Sequence, residues 1–177
     1  MERTDLIRLH AASHPSVEVR RAGFPLDHPY LEQCWTPILG PTSVVLLRRI
    51  PQLWREHDLT VEIPTGELAA SIGLGKSHGR HGAMWRSLDR ISRFRFAEPS
   101  GPGEIDVFTE FPPVGQRQLE RLPAWNRRRH DELLGAHLDH LAVAHRSTAR
   151  PTDISARLDA MTTSTRTPNR TAPSLHR

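Results

Sequence analysis

The strongest constraint on this chain is a change of period. Between Val44 and Phe111 the apolar residues run at helical spacing, alternate, return twice to helical spacing, and alternate again across a glycine-rich turn. Helical spacing puts a stripe against a core and alternation puts a face there. Residues 42–114 are therefore expected to form one small domain of three helices, a short strand and a hairpin.

The first helix is expected to begin at Gly40-Pro41-Thr42-Ser43, where proline and a hydroxyl precede Val44-Val45-Leu46-Leu47, and to reach about His57 with a kink or break at Pro51. Leu59–Ile63 is β-branched and alternating, the pattern of a strand. Thr65 is placed to cap a helix over Gly66–Ile72, which Gly73 and Gly75 stop. A glycine-rich basic loop, Lys76–Gly82, leads into a third helix from Ala83 to Phe94. Ala97–Phe111 then reads as a hairpin turning within residues 99–103, with Ile105, Val107, Thr109 and Phe111 alternating on the return strand until Pro112-Pro113 ends it.

The flanks carry weaker patterns. Leu6, Ile7, Leu9, Ala11 and Ala12 suffice for a short helix within residues 1–14, and Pro15, Pro25, Pro29, Pro37 and Pro41 suggest an extended arm over residues 15–41. Residues 115–146 should hold one more helix, from Pro123 to about His145, with Trp125, Leu133, Leu134, Leu138, Leu141 and Val143 as its apolar positions. Residues 147–177 are rich in Ser, Thr, Pro and Arg and are expected to form a disordered tail.

Charge is concentrated. Lys76 is the single lysine among the 24 basic residues, so arginine content says less than arginine placement. Residues 76–95 hold six basic residues against Asp89 alone, whereas residues 96–114 hold four carboxylates and no basic residue. The single cysteine, Cys34, excludes an intrachain disulfide and a thiolate zinc cluster. No apolar run approaches the roughly 18 residues of a membrane span, and the first residues lack the basic and apolar regions of a signal peptide. The expectation is a soluble, cytoplasmic chain without a membrane partner or cofactor.

The octet Glu67-Leu-Ala-Ala-Ser-Ile-Gly-Leu74 resembles the helix-turn stretch of bacterial helix-turn-helix regulators, in which small residues let two helices pack closely and glycine makes the turn. With the hairpin that follows, the resemblance covers about 70 residues. It implies a mainly α winged helix-turn-helix domain, with the N-terminal arm and C-terminal helix as additions. The function implied is sequence-specific binding of double-stranded DNA in transcription regulation, without catalysis. In that family the third helix enters the major groove. At about 100° per residue, Met84, Leu88 and Ile91 share one face of this helix, while Arg86, Arg90 and Arg93 share the opposite one with Asp89 beside them. The resemblance places Arg86 and Arg90, flanked by Ser87, at base edges or phosphates, with Lys76, Ser77 and Arg80 near phosphates before the helix. The loop before the third helix is longer than the family's compact turn.

Other readings stay open. Glu98, Glu104, Asp106 and Glu110 make the hairpin acidic where many wings are basic, which suits a protein partner with a basic surface. An interaction module on the same fold, or a replication or partition initiator of a mobile element, would share this pattern. Leu134, Leu138 and Leu141 form a stripe that caps the domain or joins two copies as a homodimer suited to paired half-sites. The spacings of His78 with His81 and of His137 with His140 resemble metal pairs, but no recognised catalytic pattern is complete. No nucleophile with an adjacent base stands out.

Overall fold

A computed structural model of the chain describes residues 6–56, 59–75 and 82–148. Its centre is a strand that the sequence disguised. Residues Leu6–Ala12 form β1, which lies inside a four-stranded sheet of order β3-β1-β5-β4, antiparallel to β3 (Thr60–Pro64) and parallel to β5 (Glu104–Phe108). The outer strand β4 (Ala97–Gly101) pairs antiparallel with β5. The short helix expected within residues 1–14 is thus a strand. Ile7 and Leu9, two residues apart and fully buried, share the inner face with Val61, Ile63, Ile105 and Val107. Arg8 and His10 take the opposite face.

The segment 15–41 is likewise not an extended arm. It holds α1 (Val17–Ala22), the two-residue strand β2 (Phe24–Pro25), a π-helical turn over Leu31–Trp35 and α2 (Thr36–Leu39). Pro15 and Pro29 fall between these short pieces, Pro37 and Pro41 fall in the first turn of a helix, where no amide bond is lost, and Pro25 ends the two-residue β2. Phe24, Tyr30, Leu31, Cys34 and Leu39 are fully buried, so the segment supplies core and not cover. Gly23 is needed for space, since a Cβ there would stand 2.5 Å from the Val19 carbonyl oxygen and 2.8 Å from that of Phe111.

The helices of the central region follow their periodicity closely. Helix α3 (Pro41–Glu56) runs through Pro51 unbroken, because Leu46, Leu47, Ile50 and Trp54 bury one continuous face and Trp54 Nε1 donates to the Leu9 carbonyl at 3.1 Å. Helix α4 (Thr65–Ser71) starts on Thr65 itself, which is buried, with Pro64 in the cap position, so Thr65 is not the cap. Gly73, at φ 81°, turns the chain out of α4. Helix α5 (Ala83–Arg93) buries Met84, Leu88 and Ile91, with Trp85 and Phe94 at its margins. The return strand expected to reach Phe111 instead divides at Thr109, and β6 (Glu110–Phe111) leaves the main sheet to pair with β2. The whole is a mixed α and β fold with a larger sheet than a lone hairpin would provide.

After a short helix α6 (Gln116–Leu119), α7 (Ala124–Thr148) carries the chain onward. The described residues up to Asp139 belong to the same compact unit as the sheet, and those of α7 from His140 belong to a second unit. Within the first unit Asn126, His130 and His137 fix the helix. Asn126 Nδ2 donates to the Gln33 carbonyl at 2.7 Å, and the His137 ring stacks on Phe24 with centroids 4.2 Å apart. The expected leucine stripe is split, with Leu134 packed against the core and Leu138 exposed.

The anchor of α7 is the buried pair Tyr30–His130. The Val114 amide donates to Tyr30 Oη at 2.9 Å, and the same oxygen shares a hydrogen bond with His130 Nδ1 at 2.5 Å. Burial holds the His130 pKa below the ordinary 6.5, which favours the neutral ring. Burial does the same to His14 and His28. Each of these imidazoles binds its proton more readily in the unfolded chain. Their contribution to stability is complete above pH 6.5 and is lost as pH falls through the lower folded values. Thermal melts at constant ionic strength should show the midpoint dropping by more than about 5 °C between pH 7 and about pH 5; a level profile across that range would contradict the neutral imidazoles.

Candidate nucleic-acid interface

The arginine row on α5 follows from its buried row. Because Met84, Leu88 and Ile91 turn inward, Arg86, Arg90 and Arg93 are carried outward, and all three are exposed. Asp89 is exposed too but leans aside, lining a small depression with Trp85, Ser92, Pro99 and Glu104 beside the β4–β5 hairpin.

Two of the expected contacts change. Ser87 is buried, and its hydroxyl donates to the Ala83 carbonyl at 2.9 Å, one turn back along the helix, so it cannot flank a groove contact. Arg90 is not a loose surface side chain, since its Nη1 donates to the Leu39 carbonyl at 3.1 Å. That bond holds the guanidinium at the junction of α2 and α3. Gly40 makes room for it, because it takes φ 78° and a Cβ there would come within 3.0 Å of the same nitrogen. The other expected contacts, Lys76, Ser77 and Arg80, lie outside the described residues, as do His78 and His81.

The acidic hairpin is less exposed in charge than its sequence implies. Arg8, from the neighbouring strand, reaches Glu62 Oε2 at 2.6 Å on one side and Glu104 Oε1 at 2.5 Å on the other. Glu98 and Asp106 face each other across β4 and β5 in register, and Asp106 also stands opposite His10. The outer sheet face thus stays acidic while the α5 face is basic.

Thr42 and Ser43, at the start of α3, are the residues that sequence reasoning passed over as mere helix starters. They border the same space as Arg86 and Arg90, a cavity of about 230 Å³ that Gly40, Pro41 and Ala83 also line. Their signal was present, in two hydroxyls following Gly-Pro, but only packing brings them to α5. Cys34 offers no chemistry, for burial pushes its thiol up to about 11. No group of side chains suited to a metal ion occurs among the described residues. Comparison with family models, with curated proteins and with solved structures finds no match.

Proposed function

We propose that this protein binds double-stranded DNA with α5 in the major groove and acts as a sequence-specific transcription regulator. The observation that carries the reading is the row Arg86, Arg90 and Arg93, exposed on the face of α5 opposite Met84, Leu88 and Ile91. The order α3, β3, α4, α5, β4, β5 is also the order of a winged helix-turn-helix, in which the helix before the hairpin reads the groove. Guanidinium groups so placed can bridge O6 and N7 of guanine or neutralise phosphates. The hairpin, with Glu98 and Asp106 on its outer face, stands away from the duplex backbone in this reading.

Selection of bound duplexes from a random pool tests it, followed by affinity measured against salt. A recovered consensus is expected, with log affinity falling against log salt at a slope of about −3 to −5, near 0.9 for each neutralised phosphate. No enrichment and a slope near zero would reject DNA binding and turn attention to the acidic sheet face as a protein-docking surface.

A further inference from the structure

The cavity between α5 and the start of α3 gathers more hydrogen-bond donors than the described residues satisfy. Helix α3 has sixteen residues and no side chain in its cap position, since Gly40 stands there. Its first intrahelical bond runs from the Val44 amide to the Gly40 carbonyl at 3.3 Å. Pro41 has no amide hydrogen, which leaves the Thr42 and Ser43 N–H groups without an acceptor among the described residues. Ser43 sharpens the point. It is only 2% exposed, it lines the cavity, and its hydroxyl makes no hydrogen bond to any described residue.

Arg90 completes the set. Its guanidinium is held at the cavity by the Leu39 carbonyl, which engages one of five N–H donors. A cation fixed beside the positive end of a helix is electrostatically unfavourable unless an anion joins them. Among the described residues no carboxylate lines the cavity, and the acid nearest along α5, Asp89, lines a different depression.

We propose that this cavity binds a tetrahedral oxyanion, a phosphate group, held by the Thr42 and Ser43 amides, the Ser43 hydroxyl and the Arg90 guanidinium, with Arg86 at its rim. Resting on the duplex-binding reading, that group is one DNA backbone phosphate, and its seat sets how far α5 enters the groove. Base preference then falls to Arg86 and Arg93 on the outer face of α5, and register to the cavity, where Arg90 is held.

Inorganic phosphate and a duplex test the two parts separately on the full chain. In a titration with sodium phosphate against chloride at matched ionic strength, the Thr42 and Ser43 amide resonances are expected to shift saturably. Arg90→Gln should weaken that binding about ten-fold, and Ser43→Ala about three- to ten-fold. Ser43→Ala should also lower affinity for a selected duplex by a similar factor without altering the consensus. Amides that stay put, or that respond alike in both variants, would overturn the site even if duplex binding persists. Phosphate seated at Thr42 and Ser43 in a chain that binds no duplex would uphold the site for a small phosphate compound and reject the DNA reading.

Discussion

A chain lacking residues 1–14 is expected not to fold cooperatively. Strand β1 sits between β3 and β5, so its loss leaves those two strands unpaired on facing edges and removes two fully buried side chains, Ile7 and Leu9, from the core. It also removes Arg8, which bridges Glu62 and Glu104, and the carbonyl that Trp54 Nε1 uses. The single substitution Leu9→Ala should cost about 2–5 kcal/mol, a large part of the roughly 5–15 kcal/mol that holds a domain folded. Circular dichroism melts of the truncated and substituted chains measure this directly. A truncated chain melting cooperatively within a few degrees of the full one would overturn the sheet order.

Replacing Arg86 and Arg90 together with alanine is expected to lower affinity for the selected duplex by about 100-fold or more, since each well-placed guanidinium contributes about 1–3 kcal/mol. The melt should move only slightly, because both side chains are exposed and the bond from Arg90 to the Leu39 carbonyl contributes a net of about 1 kcal/mol. Ser87→Ala is the matching control. With its hydroxyl turned back to Ala83, it should leave duplex affinity unchanged. Fluorescence anisotropy at low salt separates these outcomes, and a folded double mutant that binds as tightly as the parent would remove α5 from the interface.

The contrast between Arg86 and Ser87 shows where angular reasoning works and where it stops. A wheel of 100° per residue separates the inward row of α5 from its outward row, because both are properties of one helix. Ser87 lies near the edge of the inward row, and its fate depends on the α2–α3 junction packed there. Arg90 was legible as exposed but not as tethered, since Leu39 lies 51 residues away.

The same division runs through the whole chain. Helices α3, α4 and α5 and the β4–β5 hairpin were determined by sequence alone, to within a few residues at each end, because their bonds close within a few residues and their apolar spacing is long enough to choose a period. Only the tertiary structure decided that Leu6–Ala12 is a strand, for a short apolar run suits either conformation until partners 54 and 96 residues away, such as Glu62 and Glu104 opposite Arg8, complete its ladder. Only it decided that the proline-spaced segment before α3 is core, and that Ser43 and Arg90 line a single cavity. Local hydrogen bonding is written in neighbouring residues, whereas burial and convergence of charge are set by what the rest of the chain packs beside them.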